Sequence, residues 1–251
     1  HWRFLLGARF TDNEKSGRST TPRVAIVYQI DENRSLKLLH SEGFNSPNFV
    51  QQLINIPNAI IGHEDLKAEV IRSTELAYSA TTEGTLFVAN IYYFSATDFI
   101  IRNPEADGNH YRNSPAFDRY GFELEYQLQR EHWRSFLNLS YNHQGDRSLD
   151  HDNTALFAPK LNINLGLFYR LSQSQTLGGS VRYTGPRANA SSVALTDINY
   201  EHQLGNYLLY ATIKNLLDEH VLYPDIQNLS TSHLVPGYEG RRIELGLSFG
   251  F

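Results

Sequence analysis

The sequence ends in RIELGLSFGF, residues 242–251, where apolar residues alternate with polar or small ones. The apolar positions are Ile243, Leu245, Leu247, Phe249 and Phe251. Successive side chains of a β-strand point to opposite faces. A period of two therefore predicts a strand with one apolar face and one polar or crowded face.

The same period recurs along the chain and predicts twelve strands. We expect them at about residues 2–11, 23–30, 35–44, 68–80, 85–101, 115–129, 132–144, 161–171, 176–184, 194–203, 206–214 and 240–251. In the strand expected at 115–129, Tyr120 and Phe122 lie on one face and Glu123 and Glu125 lie on the other. Such charges suit a watered lumen better than the core of a soluble β-sandwich, which is the less favoured alternative. The fold class that we predict is all-β, an antiparallel up-and-down transmembrane β-barrel.

The connections between these strands alternate in length. The short ones are 31–33, 81–83, 130–131, 172–174 and 204–205. The long ones are 12–22, 45–67, 102–114, 145–160, 185–193 and 215–239. Outer-membrane barrels have short periplasmic turns and long extracellular loops. On that assignment the first strand runs outward and the C-terminus lies on the periplasmic side.

Aromatic residues of the apolar face are expected at both membrane interfaces. Those near the short connections are Trp2, Tyr28, Tyr78, Phe87, Tyr126, Trp133, Tyr169, Tyr200, Tyr207 and Phe249. Those towards the long connections are Phe10, Phe44, Tyr92, Tyr141 and Tyr183. Two such belts are typical of a membrane barrel.

Composition excludes several classes of function. The 251 residues include no Cys, so a disulfide framework and a thiol nucleophile are excluded. A net charge of -5 argues against nucleic acid as a partner. The chain also contains no Met and begins within a strand pattern, so we expect it to be part of a longer precursor.

Several stretches resemble the C-terminal half of TonB-dependent outer-membrane receptors. Residues 41–49 (SEGFNSPNF) are similar to the family run GxxFRAPxF, with Asn45 and Ser46 in place of the usual Arg and Ala. Residues 62–69 (GHEDLKAE) are similar to GNPxLxPE. The departures from that second pattern are His63, Glu64 and Ala68.

Other resemblances follow in the family's order. They are residues 120–125 (YGFELE), 181–187 (VRYTGPR), 213–219 (IKNLLDE) and the terminal eight residues, 244–251. The resemblance implies that residues 1–251 are the last 12 of about 22 barrel strands. The plug domain, the TonB-contacting segment and about ten strands would then be absent.

The resemblance also implies a function and a location. The protein would be an active-transport receptor of the bacterial outer membrane, in contact with outer-membrane lipid. TonB, acting on the missing plug, would drive uptake of a scarce ligand, most often a ferric siderophore. The alternatives are a receptor for cobalamin, haem or an oligosaccharide, and a complete small barrel such as an autotransporter translocator or a passive channel. The upstream sequence would distinguish a plugged receptor from a complete small barrel.

Aromatic and cationic residues of the long connections are the candidate ligand-binding residues. Aromatic rings stack on catecholate or sugar rings, and Arg pairs with an anionic ferric chelate. The candidates are Phe44, Phe49, Phe157, Arg187, Tyr223 and Tyr238, with Arg241 and Arg242 as further cations. Loop packing is the alternative role for each of them.

The C-terminal residues also resemble the signal that the barrel-assembly machinery reads. The signal residues are Glu244, Gly246, Phe249 and Phe251. An edge strand can be captured by strand addition, and ring pockets supply specificity. The alternative is that Phe249 and Phe251 only end the aromatic belt.

The sequence predicts no enzyme, no cofactor and no resident metal. It contains no Gly-x-Ser-x-Gly motif for a nucleophilic Ser. The ten His residues are scattered. Asp146, Asp150 and Asp152 lack the spacing of a calcium loop. A brief helix is expected after residue 46, with Ser46 as its cap and Pro47 in its first position.

Overall fold

The computed structural model describes residues 1–13, 17–145, 158–187, 189–225, 230–237 and 240–250. The elements in chain order are β1 (Trp2–Asn13), β2 (Gly17–Gln29), β3 (Arg34–Asn45), α1 (Phe49–Leu53), β4 (Asn55–Ile56), β5 (Ile60–Ile61), β6 (Glu69–Thr82), β7 (Thr85–Thr97), β8 (Ile100–Glu105), β9 (Gly108–Asn113), β10 (Phe117–Gln129), β11 (Trp133–Gln144), β12 (Leu161–Arg170), β13 (Gln175–Thr184), β14 (Val193–Leu204), β15 (Tyr207–Lys214), β16 (Leu222–Asp225), β17 (Ser230–Pro236) and β18 (Arg242–Phe249).

Twelve of these strands form one sheet, in the order β1-β2-β3-β6-β7-β10-β11-β12-β13-β14-β15-β18. Neighbours joined by short turns, such as β12 and β13, run antiparallel. The predicted twelve-stranded up-and-down sheet is confirmed. Within the described residues, the end strands β1 and β18 do not pair with each other.

The chain divides into two compact units. The first comprises His1–Tyr78, Asn90–Gly121 and His143–Ala155, and the second comprises Ser79–Ala89, Phe122–Asn142 and Leu156–Phe251. The first unit contains the antiparallel meander of β1, β2 and β3. The second contains the meander of β12, β13, β14, β15 and β18.

The predicted long connection at 12–22 is wrong, because β1 and β2 continue to pair beyond the apolar band. Phe10 lies opposite Thr20 and Thr11 lies opposite Ser19. The β-branched side chains of Thr20 and Thr21 favour extended backbone there. The pairing of β2 with β3 begins only at Arg23, directly after Pro22. Proline has no N–H to donate, so residues 17–22 pair with β1 alone.

The alternation predicted for the strands gives the sheet two chemically different faces. On the apolar face of β18, Leu245 and Leu247 are exposed. On the polar face, Lys214 Nζ lies 3.1 Å from a Glu244 carboxylate oxygen, and Arg182 pairs with Asp197 at 3.5 Å. The two faces are the ones that a membrane strand needs, one for lipid and one for a watered interior.

Aromatic rings pair across strands near the short turns. Trp2 and Tyr28 have ring centroids 4.6 Å apart, and those of Tyr207 and Phe249 are 4.8 Å apart. Trp133 and Tyr169 pair in the same way at 4.2 Å. Tilted ring pairs at these distances are favourable beyond the area that they bury. They are the predicted belt at the short-turn end of the apolar face.

In β7 the aromatic residue of the apolar face is Tyr93, not Tyr92. Tyr93 and Ile91 are both exposed, as expected for two residues on one face of a strand. Phe94 turns the other way and contacts Phe117, with ring centroids 6.0 Å apart. Because Tyr92 and Tyr93 are adjacent, the sequence alone did not show which of the two lies on the apolar face.

Aromatic rings on the polar face of the second unit lie over glycines of the neighbouring strand. Phe168 lies opposite Gly178, and Tyr210 lies opposite Gly246. A Cβ atom at either glycine would collide with the ring of its partner. Phe136 covers Gly166 of β12 in the same way. These glycines are needed because the rings occupy the space of their missing side chains.

Gly178→Ala should destabilise the folded protein by roughly 1–3 kcal/mol, the usual cost of overpacking, because the added methyl group meets the Phe168 ring. Gly179→Ala is the matched control, since a Cβ there would meet only the carbonyl oxygen of Asp197, at 3.5 Å. Urea titration followed by intrinsic fluorescence measures the free energy of unfolding of both variants. Equal losses would contradict a specific role for the ring over Gly178.

Candidate functional site

The long connections of the first unit form a small sheet of their own. Its strands are β4, β5, β9 and β8, in that order. The pairing of β5 with β9 is parallel, with Ile60 opposite Asn109 and Ile61 opposite His110. The sheet joins the segment between β3 and β6 to the segment between β7 and β10. Two connections that the sequence predicted as separate polar loops therefore form one structure.

Glu69 ties this small sheet to the long strands. Its Oε2 accepts a hydrogen bond from Asn45 Nδ2 at 2.6 Å, and its Oε1 accepts one from the backbone N–H of Ile100 at 2.7 Å. The side chain is buried, so both carboxylate oxygens find donors inside the protein. Asn45 ends β3, Glu69 begins β6 and Ile100 begins β8. The last residue of the 62–69 motif thus has a structural role.

Asn113 makes a second link that sequence reasoning missed. Its Oδ1 accepts from the backbone N–H of Lys67 at 2.8 Å. Its Nδ2 donates to the carbonyl oxygens of Lys67 at 3.0 Å and Asp98 at 2.7 Å. Lys67 and Asp98 are 46 and 15 residues away in sequence, so no local pattern could have revealed the bonds.

The brief helix α1 is confirmed, but its predicted cap is wrong. Asn48, not Ser46, is the N-cap, and Phe49 rather than Pro47 is the first helical residue. Asn48 Oδ1 accepts from the N–H of Gln51, and Gln51 Oε1 accepts from the N–H of Asn48, both at 2.9 Å. This reciprocal pair is a capping box. Phe49, a predicted ligand-binding residue, projects from α1 and is exposed.

An ion-paired cluster occupies the tip of the β8–β9 hairpin. Arg112 Nε donates to Glu105 at 2.6 Å, and His110 Nε2 lies 2.8 Å from Asp107. The hydrogen bond from Arg112 lowers the pKa of Glu105, and the one from His110 lowers the pKa of Asp107. Glu105, Asp107 and His110 could in principle ligate a metal ion. Their partners within the hairpin already account for their arrangement.

The 213–219 motif lies where the chain leaves β15 for the β16–β17 hairpin, and it also contacts the segment that leads from this hairpin to β18. Asn215 is fully buried and has a positive φ of 50°. Its side chain accepts from the N–H of Glu219 and donates to the carbonyl of Glu219, both at 2.9 Å. Asp218 Oδ1 accepts from the N–H of Arg241 at 2.7 Å, where the chain returns to β18. Asn tolerates this left-handed backbone and replaces the missing backbone partners.

Arg187 and Tyr223, two of the predicted ligand-binding residues, are in contact. The guanidinium carbon of Arg187 lies 4.3 Å from the centroid of the Tyr223 ring, a cation–π geometry. The Nε and Nη2 atoms of Arg187 are buried and have no hydrogen-bond partner among the described residues. The Tyr223 ring in turn lies over Gly237. A stacked cation with unused donors is suited to an anionic group.

The other predicted ligand-binding residues are placed as follows. Phe44 alternates with Asn45 at the end of β3, so it shares a face with the exposed Leu36 and Leu38. Phe157 and Tyr238 lie outside the described residues, as do Asp146, Asp150 and Asp152. Phe44 and Phe49 thus belong to the first unit, and Arg187 and Tyr223 belong to the second.

A sequence model of the family described as "TonB dependent receptor-like, beta-barrel" matches residues 1–216. The chain belongs to this family. Its members are bacterial outer-membrane receptors rather than enzymes. No curated protein matches the sequence.

Solved receptor structures share the fold of this TonB-dependent receptor barrel. The ferric enterobactin receptor PfeA of Pseudomonas aeruginosa, as the G324V mutant, is 18% identical with a TM-score of 0.76, and the match covers 100% of this chain and 43% of that chain. The siderophore receptor PirA of Acinetobacter baumannii is 17% identical with a TM-score of 0.77, and the match covers 100% of this chain and 43% of the PirA chain. The FrpB iron transporter of Neisseria meningitidis is 16% identical with a TM-score of 0.72, and the match covers 92% of this chain and 39% of the FrpB chain.

The chain therefore spans less than half the length of the receptors that it matches. Identities this low show a shared fold. Among the residues that the structure describes, no helical segment has the length and hydropathy that a membrane-spanning helix requires.

β18, the last strand of this chain, carries three of the four predicted assembly-signal residues. Glu244 pairs with Lys214 and lies 2.7 Å from an Nη atom of Arg242. Gly246 lies beneath Tyr210, and Phe249 packs on Tyr207. Phe251 lies outside the described residues. Each described signal residue thus has a partner within the barrel wall.

Asn215→Ala in the receptor should cost about 2 kcal/mol, because it removes both hydrogen bonds between the buried Asn215 side chain and the backbone of Glu219. Asn58→Ala is the matched control. Asn58 also has a positive φ, of 60°, but it is exposed. Limited proteolysis of the folded receptor, with cleavage mapped by mass spectrometry, measures the effect. Cleavage between residues 215 and 241 should accelerate for Asn215→Ala only; equal acceleration in both variants would show that backbone strain alone is responsible.

Proposed function

We propose that this chain is part of an outer-membrane receptor that imports a scarce ligand with energy supplied through TonB, and that the ligand is a ferric siderophore. The observation that carries the proposal is the family match over residues 1–216. The solved structures that share the fold add support, because they are siderophore receptors and an iron transporter.

In this proposal residues 1–251 are the C-terminal part of the barrel domain, and a plug domain and about ten further strands lie elsewhere in the protein. Coverage of 43% of the PfeA and PirA chains agrees with that division. Further strands would supply partners for the free edges of β1 and β18. Closure of the barrel would then satisfy every backbone group within the membrane.

The polar face of the sheet would line the interior and contact the plug. In the second unit it carries a cleft of about 600 Å³, lined in part by Gln127, Arg134, Asn138 and Asn164. Arg134 stacks over the Phe168 ring at 4.6 Å, so the cation is held against the wall. Amide and guanidinium groups of this kind can hydrogen-bond a polypeptide that fills the barrel.

Arg187 and Tyr223 are the residues that we propose for ligand recognition. A ferric siderophore with carboxylate or catecholate groups presents anionic oxygens. The Nε and Nη2 donors of Arg187 have no partner among the described residues, and Tyr223 keeps the guanidinium plane in place. Because the cation is partly withdrawn from water, its attraction for an anion is stronger than on an open surface.

Uptake measurements test the proposed function. The complete gene is expressed in a host that lacks its own siderophore receptors, with and without TonB, and growth on chelated iron is scored with a panel of ferric siderophores. We expect growth on at least one of them, only when TonB is present. Parallel arms with haem and with cobalamin test the alternative ligands. Growth that does not require TonB would favour a passive channel.

Arg187→Gln should raise the dissociation constant of an anionic ferric siderophore roughly ten-fold or more, because a hydrogen bond to a charged group contributes about 1.5–3 kcal/mol. Lys67→Gln is the control, because Lys67 is an exposed cation of a different long connection and is not a predicted ligand-binding residue. Binding of ⁵⁵Fe-loaded ferric enterobactin to whole cells, or of whichever siderophore supports growth, measures both. If the affinity of Arg187→Gln is unchanged, Arg187 does not contribute to siderophore binding.

We also propose that the barrel-assembly machinery reads Glu244, Gly246, Phe249 and Phe251. Deleting Phe251 leaves the backbone ladder of β18 unchanged, because β18 ends at Phe249. A signal role therefore predicts that the amount of receptor in the outer membrane falls sharply and that periplasmic precursor accumulates. Gly246→Ala does not test the signal role alone, because the added methyl group would collide with the Tyr210 ring and so disturb the packing of β18 itself. Normal surface abundance of the Phe251 deletion, measured by fractionation and immunoblotting, would defeat the signal role.

A further inference from the structure

The short helix α1 buries a polar side chain and exposes its apolar ones. Its polar residue Gln52 is only 7% exposed, whereas Phe49 and Leu53 are 73% and 57% exposed. Val50 and the following Ile56 are also more than half exposed. Residues three and four apart share a helix face, so Phe49, Val50 and Leu53 form one apolar surface. A buried polar residue beside an exposed apolar patch is the reverse of the usual arrangement and marks an interaction surface.

Tertiary contacts hold the helix in this orientation. Gln52 Nε2 donates to the carbonyl of Glu64, and the N–H of His63 donates to the carbonyl of Gln51 at 3.0 Å. Gly62 passes so close to the helix that a Cβ there would lie 2.7 Å from the backbone of Gln52. The N–H of Gly62 donates to the carbonyl of Ile54 at 2.7 Å. Rolling the helix to bury Phe49 and Leu53 would break these bonds, so the bonds hold the apolar surface outward.

The surrounding sequence is free of charge. Residues 43–62 contain no Asp, Glu, Lys, Arg or His, although 20% of the whole chain is Asp, Glu, Lys or Arg. Depletion of charge together with exposed aromatic and aliphatic residues is the composition of the buried core of a protein interface. The apolar face of α1 itself carries no cation that could pair with an anionic iron chelate, so this surface differs in chemistry from the Arg187 region.

We infer that the apolar face of α1, made of Phe49, Val50, Leu53 and Ile56, is covered in the complete receptor by an uncharged, apolar polypeptide segment of the same protein. The inference rests on the proposed function, in which more than half of the receptor lies outside these 251 residues, as in the receptors that the chain matches. A transported ligand is present only part of the time and would leave a rigid apolar surface in water between transport events. A segment of the same chain is always present.

Cysteine accessibility tests this inference without knowledge of the ligand. The chain contains no Cys, so Leu53→Cys introduces a single reactive position into it. Leu217→Cys is the matched control, because Leu217 is 61% exposed on another long connection. Both are made in the complete receptor, with any cysteine elsewhere replaced by Ser, and intact cells are treated with a membrane-impermeant maleimide. We expect Leu53→Cys to react at least ten-fold more slowly than Leu217→Cys, with or without siderophore. Equal rates would overturn the inference, and so would protection that requires siderophore, which indicates a ligand surface.

Photo-crosslinking identifies what covers the patch. A benzoyl-phenylalanine at position 49 of the complete receptor should give an intramolecular crosslink to a peptide outside residues 1–251, identified by mass spectrometry. A crosslink to a second receptor copy, a crosslink to another protein, or no crosslink would overturn the inference. Neither measurement depends on transport. Failure of TonB-dependent uptake would therefore be seen separately from failure of the covered surface.

Discussion

The pairing of backbone groups across antiparallel strands is the constraint on which the rest of this structure depends. A strand satisfies its N–H and C=O groups through its neighbours, and in this chain twelve strands stand side by side in one sheet. Once they do, alternation assigns each side chain to one of two faces. The leucines of β12 and β18 share the apolar face, and the pairs of Arg182 with Asp197 and Lys214 with Glu244 lie on the other.

The connections depend on a different interaction, in which one side chain makes two or more hydrogen bonds to groups outside its own strand pairing. Glu69, Asn113 and Asn215 each bind two or more groups that have no strand partner. Leaving such groups unpaired inside a protein costs more than an average hydrogen bond contributes. Glu69 and Asn215 belong to the stretches that resemble the receptor family. Their roles here explain why a loop motif can be structural rather than a contact for ligand.

Two surfaces of opposite chemistry emerge from the ordered connections. Arg187 on Tyr223 offers a desolvated cation with unused donors. The face of α1 offers neutral apolar side chains that are held outward. Physical chemistry assigns them different occupants, since an anion gains from a counter-charge and an apolar polypeptide gains from excluding water. The predicted ligand residues Arg187 and Phe49 therefore have separate roles in our proposals.

The sequence by itself determined the fold class, the twelve strands of the main sheet and its two faces, because a period of two is a local property that each strand carries alone. It also identified the receptor family and named Arg187 and Tyr223. Only the tertiary structure decided where β1 and β2 stop pairing, which tyrosine of β7 faces outward and which residue caps α1. The contacts of Glu69 with Ile100, of Asn113 with Lys67 and of Arg187 with Tyr223 join residues 31 to 46 positions apart. Such contacts form only after the sheet has brought the strand ends together, and no local pattern records them.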